Sequence, residues 1–361
     1  MRVKIANTKH MGRSLVATCD ISAGDVVLRA VPAAAVLLDT FISSGTHCGL
    51  CLADTFEGHV GGTDHGIDLI KCAKCNAIFV CKACRAKEQT LSLHDLECNA
   101  HALLLGSKSI SLPDSLKETS TVRCLIRLMI SGRKSQGDPV HAEVADLEEH
   151  FDSETPAIKA ELQHAATIAL SLLSADHHST VPLARVRRWA RVAARLRCNE
   201  IAACWPMRWN MTRAMLNLGD ETCGVGLWPA ASYCNHNSVP NCHYSIELRS
   251  TSPAVTPSAI AHAKSNFESA FLGPNLVLRA IRRIRRGEHI YISYVSLYSP
   301  IAQRNQLLQE MYHFQETHAR QKKALDVDSC MTALLCQRCA NGVLEPTAMG
   351  VGHALRVICT K

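Results

Sequence analysis

The pattern of apolar and polar positions predicts strands in the first and last thirds of the chain and helices between them. Short apolar runs bounded by turn residues are typical of strands. Such runs cover residues 14–18, 26–28, 33–38, 243–248, 276–279 and 289–294. A segment rich in Ser, Pro and Ala, residues 250–264, separates two of these runs and is expected to be a surface loop.

Residues 99–200 favour helices instead. The pattern is clearest at 183–196, where apolar residues recur at helical spacing and arginines fill much of the remaining surface. We interpret this segment as a helix with one face on the core and a solvated basic face, rather than as a membrane or partner helix. Because strands and helices do not alternate regularly, the fold class is predicted to be α+β.

Composition changes this picture mainly through cysteine. The chain has 361 residues and a net charge of +7, which is too small to favour nucleic acid or a membrane as the main partner. The first ten residues lack the apolar core of a signal peptide, and the longest apolar stretch, 30–38, is too short to span a bilayer. We therefore expect a cytoplasmic and/or nuclear protein, in which many of the 18 cysteines bind metal rather than form disulfides.

Four closely spaced pairs of metal-ligating residues lie within residues 48–98. They are Cys48 and Cys51, Cys72 and Cys75, Cys81 and Cys84, and His94 and Cys98. Two residues between paired cysteines let both thiolates reach one metal from a tight turn. Eight ligands suffice for two closed, tetrahedral zinc sites, so the module is predicted to be structural rather than catalytic. Zinc would supply on the order of ten kcal/mol of folding free energy per site to a segment too short to bury a core of its own.

A second set of motifs is spread over the rest of the chain. It comprises residues 12–17 near the start, 224–229, 232–242 and 286–294. Each motif alone is ordinary loop or strand sequence. In this order and around the cysteine cluster, they resemble the SET and MYND domain-containing proteins, and the loop sequences are most similar to the arthropod SmydA branch.

The resemblance implies a SET domain that is split around an inserted zinc finger. The expected parts are 1–46 and 201–314 for the β-rich SET domain, 47–98 for the MYND finger, 99–200 for a helical linker and insert, and 315–361 for a post-SET-like segment. In MYND fingers the two zinc sites interleave. By resemblance, one ion would be shared by Cys48, Cys51, Cys81 and Cys84, and the other by Cys72, Cys75, His94 and Cys98. Such fingers generally dock protein segments, so a partner peptide is expected.

The same resemblance implies transfer of methyl groups from S-adenosylmethionine to lysine side chains of histones or other proteins. By resemblance, the cofactor is bound by Arg13, Ser232, Tyr233, Asn235, His236 and Phe314. Tyr294 matches the tyrosine beside the methyl group, and Tyr312 matches the second tyrosine of the lysine channel. A narrow channel of tyrosine rings suits this reaction because the protein must align the reacting atoms and exclude water.

One part of the family pattern is missing. Active relatives order the segment after the SET core with a third zinc bound by four cysteines, and the corresponding positions here are Ser238, Glu316, His318 and Gln321. Serine and glutamine are poor zinc ligands, and the other two cannot close a site. Four cysteines lie further on, and the sequence leaves open whether they bind a displaced ion. They are Cys330, Cys336, Cys339 and Cys359.

Two functional hypotheses follow from this mixture. The first is a protein-lysine methyltransferase that uses S-adenosylmethionine. The alternative is a catalytically weak or inactive SET and MYND scaffold that binds protein partners in transcriptional regulation. The first hypothesis is favoured because Asn235, His236, Tyr294 and Tyr312 are all present.

Overall fold

The chain forms two units, and each unit brings together segments that are distant in sequence. The computed structural model describes residues 2–9, 12–54, 68–86, 88–106, 119–133, 142–174, 180–204, 222–250, 273–297, 299, 301–316, 334–335, 343–346 and 357–359. Unit 1 comprises Met1–Cys234 and Cys242–His289, and unit 2 comprises Asn235–Asn241 and Ile290–Lys361.

The described residues form helices and strands that do not alternate regularly, as the α+β prediction requires. The strands are β1 (Val3–Thr8), β2 (Gly12–Ala17), β3 (Val26–Ala30), β4 (Ala34–Leu37), β5 (Leu69–Lys71), β6 (Phe79–Cys81), β7 (Glu200–Cys204), β8 (Thr222–Leu227), β9 (Asn235–His236), β10 (Cys242–Ser250), β11 (Gly273–Ala280), β12 (Tyr291–Ile292), β13 (Leu334–Leu335), β14 (Val343–Pro346) and β15 (Val357–Cys359). The α-helices are α1 (Asp39–Ser44), α2 (Lys82–Ala86), α3 (Glu88–Gly106), α4 (Ser120–Arg133), α5 (Ala142–Ala145), α6 (Pro156–Leu172), α7 (Leu183–Asn199) and α8 (Ile301–Tyr312).

In unit 1, strands from the start of the chain pair with strands that follow residue 220. The antiparallel order β10-β11-β3 places Leu278 opposite Leu28, and the order β4-β8-β7 places Val36 opposite Val225. Gly226 permits the second pairing, because a Cβ atom there would lie 2.6 Å from the carbonyl oxygen of Ala34. The chain between β4 and β7 is therefore an insertion between two strands of one sheet.

Most predicted strands are confirmed, and one is largely wrong. The runs at 14–18, 26–28 and 33–38 coincide with β2, β3 and β4, and those at 243–248 and 276–279 lie within β10 and β11. The run at 289–294 forms strand only over the two residues of β12. The predicted surface loop at 250–264 lies outside the described residues, apart from Ser250 at the end of β10.

Helices of the insertion pack against the β4-β8-β7 sheet and form the main apolar core of unit 1. Leu125 of α4, Ala166 of α6 and Trp189 of α7 are buried together with Val36 and Val225. The α6 helix begins where Thr155 accepts a hydrogen bond from the backbone N–H of Ile158 and Pro156 occupies the first helical position. Helix packing on a sheet thus follows the apolar pattern of the sequence.

The α7 helix differs from the prediction in two ways. Leu183, expected on the apolar face, is 58% exposed, because it is the first residue of the helix. The basic face is only partly solvated. Three of its arginines pair with acidic side chains of residues 149–154, namely Arg191 and Arg195 with Glu149 and Arg197 with Glu154. These contacts attach residues 149–154, which precede α6, to α7.

A buried ion pair joins the cysteine-rich segment to the sheet. Arg127 of α4 donates to both carboxylate oxygens of Glu97 in α3, at 2.7 and 2.8 Å, and the two side chains are 7% and 0% exposed. The same guanidinium also donates to the carbonyl oxygens of Ala35 and Gly49. Because a buried charge needs an opposite charge and full hydrogen bonding, this contact fixes the junction between the two regions.

Among the described residues, no helix combines the length and the apolar character needed to cross a membrane.

Replacing Arg127 with Met is expected to lower the free energy of unfolding by about 3 kcal/mol or more, because Glu97 would then stay buried without a counter-charge. Thermal unfolding followed by circular dichroism measures this loss as a fall in Tm. The matched control is Arg2→Met, since Arg2 and Asp25 form a 2.7 Å pair whose side chains are 46% and 41% exposed. Such a solvent-exposed pair contributes little to stability, so its loss should lower Tm much less. Equal falls in the two variants would contradict the role given to Arg127.

Candidate functional site

Two similar turns present the first cysteine pairs. In each turn the residue after the second cysteine adopts a left-handed conformation, with φ of 61° at Leu52 and 49° at Asn76. The backbone N–H groups of these residues return to the carbonyl oxygens of Cys48 and Cys72, both at 2.9 Å. The tight turn brings the two sulfurs of a pair to the same side, which is why two intervening residues suffice.

The four cysteine and histidine pairs converge on two centres. One centre contains Cys48, Cys51, Cys81 and Cys84, and the other contains Cys72, Cys75, His94 and Cys98. Within each set, every ligand atom lies within 4.8 Å of every other. Seven of the eight side chains are buried, and Cys72 is half-buried. The interleaved grouping is the one that the family resemblance implies.

The spacing of the ligand atoms fits zinc. The Sγ atoms of Cys51 and Cys81 are 3.8 Å apart, and those of Cys72 and Cys98 are 3.7 Å apart. The edge of a tetrahedron with metal–sulfur distances of 2.3 Å is about 3.8 Å. The four-sulfur set and the three-sulfur, one-nitrogen set are both common zinc donor sets.

Electrostatics at the second centre favour the thiolate that a metal requires. Burial opposes ionisation of the Cys75 thiol, but hydrogen bonds from His94 and from backbone N–H groups lower its pKa to about 6. Burial likewise acts to lower the pKa of His94, but contact with Cys75 and Cys72 raises it to about 9. The Cys75 thiolate is therefore favoured, and since metal binds a thiolate and a neutral imidazole, His94 must release a proton when an ion binds.

In unit 1, the residues expected to bind a cofactor are engaged by an acidic side chain. The guanidinium of Arg13 lies 5.6 Å from the ring centroid of Tyr233 and forms an ion pair with Asp146. Asp146 also accepts a hydrogen bond of 3.0 Å from the Tyr233 hydroxyl. Burial and this hydrogen bond raise the pKa of Tyr233 to about 12. Ser232 lies beside them and donates to the carbonyl oxygen of Trp228 at 3.4 Å.

In unit 2, backbone hydrogen bonds join the segment 235–241 to the segment 290–294. Strands β9 and β12 pair in parallel, with Asn235 opposite Tyr291. Asn241 reinforces this pairing, because its side-chain oxygen accepts from the Tyr291 N–H at 2.8 Å. The Tyr294 N–H donates to Nδ1 of His236 at 3.0 Å. The side chains of His236 and Tyr294 are therefore positioned by one backbone framework.

Four predicted site residues of unit 2 form one aromatic cluster. The ring centroids of Tyr294 and Tyr312 are 4.7 Å apart, and those of His236 and Tyr294 are 5.4 Å apart. Phe314 lies 6.0 Å from His236 and 6.4 Å from each tyrosine. Phe314 is 37% exposed, so part of its ring faces solvent. We call these four side chains the aromatic cluster.

The tautomer of His236 follows from its neighbours. Because Nδ1 accepts a hydrogen bond, the neutral ring carries its proton on Nε2, which lies 3.7 Å from Oε2 of Glu316. The His236 side chain is 1% exposed. Burial lowers its pKa, and the Glu316 carboxylate opposes that effect only in part. His236 is therefore neutral at pH 7.

Some predicted residues cannot be placed, and some residues with a role in these sites were not predicted. Cys330, Cys336 and Cys339 lie outside the described residues, as do His318 and Gln321, while Cys359 is the last residue of β15.

The acidic partners Asp146 and Glu97 were not predicted from the sequence. For Asp146, the acidic run at 143–154 was an available signal, but its partner is 133 residues away.

Comparison with known proteins places this architecture in context. A family model described as SET domain matches residues 12–295. The histone-lysine N-methyltransferase SMYD3 of Mus musculus is 24% identical over 315 residues, which is 87% of this chain and 60% of that protein. The N-lysine methyltransferase SMYD2-A of Xenopus laevis is 26% identical over 311 residues, which is 84% of this chain and 56% of that protein. A SET and MYND domain-containing protein of Dictyostelium discoideum is 22% identical over 355 residues, which is 86% of this chain and 79% of that protein. The chain spans about 60% of the length of the first of these relatives.

Elemental analysis of the purified protein is expected to find two zinc ions for the two ligand sets. Cys51→Ser should remove at least one of them and unfold the finger, because a structural zinc site supplies much of the folding free energy of its segment. The matched control is Cys19→Ser, since Cys19 is an exposed cysteine outside both sets and its replacement should leave the zinc content unchanged. An unchanged zinc content in the Cys51 variant would contradict the assignment.

Proposed function

We propose that this chain, which belongs to the SET domain family and is a SET and MYND domain-containing protein, transfers methyl groups from S-adenosylmethionine to lysine side chains of proteins. The observation that carries the proposal is the aromatic cluster. His236 lies 58 to 78 residues before the other three members in the sequence, and the family resemblance assigns all four to the cofactor and lysine sites. A packing role alone does not require three hydrogen-bonding rings around one partly exposed phenyl ring.

The chemistry of the cluster suits the cofactor. When bound, S-adenosylmethionine supplies a methyl group on a positively charged sulfur, next to a flat adenine ring. Phe314 offers a partly exposed ring for stacking, and Tyr294 and Tyr312 offer the negative faces of their rings to a cation. Asn235, which precedes His236 in β9, is a half-buried polar residue that the family resemblance assigns to the cofactor. These residues fit the group.

Within this site, the tyrosines would orient the substrate. Their hydroxyl oxygens accept hydrogen bonds from the lysine amine and leave its lone pair directed at the methyl carbon. The amine must be neutral to react, and removal from water lowers its pKa. The rings exclude water from the reacting atoms, which strengthens these polar contacts. The protein contributes alignment and desolvation, and no covalent bond to the enzyme is needed.

The zinc finger has a different role in this proposal. Both ligand sets are complete with four residues, so neither leaves a position for water or substrate. A closed site supports structure, and we assign the finger to docking a protein segment. Arg127 and Glu97 connect its last helix to the strand β4, which gives the docked segment a fixed position relative to unit 1.

A scaffold without catalysis is the second candidate. It is favoured by Ser238 and Glu316, which occupy positions where the family pattern has zinc-binding cysteines. It is also favoured by Arg13, whose guanidinium forms an ion pair with Asp146. The two candidates differ in whether the aromatic cluster binds a methyl donor, so a binding measurement separates them.

Isothermal calorimetry is expected to show binding of S-adenosylmethionine to the full chain, and Asn235→Ala should weaken it. Tyr294→Phe should lower kcat for methylation of histones by about 10²-fold, because it removes one preorganised hydroxyl from the reacting centre. Transfer of a radiolabelled methyl group measures this rate.

The matched control is Tyr244→Phe, since Tyr244 is a tyrosine of β10 in unit 1 and lies outside the aromatic cluster. Its activity should equal that of the unchanged protein. The absence of cofactor binding at millimolar concentration would refute the methyltransferase proposal and support the scaffold.

A further inference from the structure

Two polar side chains of unit 2 meet although 78 residues separate them. Both carboxylate oxygens of Glu316 accept hydrogen bonds from Ser238, one from its backbone N–H at 2.8 Å and one from its hydroxyl. Ser238 is 1% exposed and Glu316 is 7% exposed. A buried carboxylate with two donors from one residue is held in a single orientation.

Further groups of unit 2 surround this carboxylate. Nε2 of His236 lies 3.7 Å from Oε2, and the backbone N–H of Glu316 donates to the Asn305 side chain at 2.9 Å. Arg304, which is fully buried, carries the nearby positive charge and donates to the carbonyl oxygen of Ser299 at 2.8 Å. Burial acts to raise the pKa of Glu316, but the Ser238 hydrogen bonds and the charge of Arg304 lower it. The carboxylate is therefore ionised at neutral pH.

The pair lies next to the aromatic cluster on both sides. Ser238 is two residues after His236, and Glu316 is two residues after Phe314. Between α8 and Phe314, His313 takes the left-handed conformation with φ of 60°, which ends the helix and turns the chain. Residues 313–316 belong to no helix or strand of the described chain. Their position therefore depends on side-chain bonds of this kind.

We propose that Ser238 and Glu316 form a metal-free clamp that holds Phe314 beside His236, and that Glu316 is a positioning residue for the methyl-transfer site. The clamp itself rests on geometry, whereas the positioning role rests on the proposed function. A carboxylate and a hydroxyl join directly, so the two segments are tied together without a bridging ion. Glu316 lies two residues after Phe314, so the clamp restrains Phe314 through the backbone. Tyr312 is affected as well, because it is the last residue of α8 and lies two residues before Phe314.

The test compares Glu316→Gln and Ser238→Ala with Glu310→Gln. Glu310 is an exposed glutamate of α8 that pairs with Gln306, so it matches the charge change without touching the clamp. Hydrogen exchange of the zinc-loaded full chain, without cofactor, should become at least about tenfold faster at the amides of Ser238 and Glu316 in both clamp variants. Exchange in β11 should not change, which shows that the variants fold. The double variant should be no faster than the more affected single variant, because both remove the same interaction.

Kinetics then test the positioning role. Glu316→Gln should weaken cofactor binding and lower kcat, each by about tenfold, with zinc content unchanged, whereas Glu310→Gln should alter none of these. Unchanged exchange in the clamp variants would overturn the clamp. Faster exchange with unchanged cofactor affinity and kcat would overturn the positioning role.

Failure of the proposed function gives a different result. If the unchanged protein binds no cofactor and transfers no methyl group, the kinetic part has no signal, but the exchange measurement still decides whether the clamp exists. An increase in protection of Ser238 on addition of zinc, seen in the unchanged protein and absent in Glu316→Gln, would show a metal site instead and would also overturn the metal-free clamp.

Discussion

Burying a charged group costs solvation free energy, and the way each buried charge is compensated decides how distant segments of this chain are joined. The thiolates of the finger are grouped in two sets of four ligands that a zinc ion can neutralise. Glu97 is compensated by Arg127, which connects the finger to β4. Glu316 is compensated by Ser238 and Arg304 in unit 2. In each case the compensating groups come from different elements, so folding of one element constrains another.

The metal centres and the ion pair stabilise the insertion in complementary ways. A zinc ion at each ligand set would organise the finger, and Leu52, Ile78 and Val80 add buried apolar side chains to it. Arg127 joins the finger to the sheet, because its guanidinium pairs with Glu97 and also donates to the carbonyl oxygens of Ala35 and Gly49. Because Gly49 lies between two ligands of the first centre, one guanidinium bonds both strand β4 and the backbone of a metal-binding turn. The finger is therefore integrated into unit 1 through a polar contact as well as through apolar packing.

Sequence reasoning succeeded where the pattern is local and failed where the partner is distant. The spacing of Cys48 and Cys51 indicates a turn and a shared metal without any tertiary information, and the strand at 33–38 follows from its apolar run. Nothing local indicates that Asp146 meets Arg13, or that Arg191 of the supposed solvated face meets Glu149. Glu316 shows the limit most clearly. The sequence identifies it only as a residue at a position where the family pattern has a zinc-binding cysteine, whereas the fold shows that it bonds Ser238, the residue at another of those positions.

The aromatic cluster depends on two kinds of restraint of unequal strength. His236 and Tyr294 lie on paired backbone, because β9 and β12 are hydrogen-bonded and the Tyr294 N–H donates to the His236 ring. Tyr312 lies at the end of α8, which Arg304 anchors to the carbonyl oxygens of the preceding loop. Phe314 follows a left-handed residue and belongs to neither element. Its ring is also the most exposed of the four, so apolar burial holds it weakly. The part of the site that would face the cofactor is thus the part whose position depends most on the Ser238–Glu316 hydrogen bonds. Protonation or substitution of Glu316 would act on Phe314 through the backbone and on His236 through its contact with Nε2.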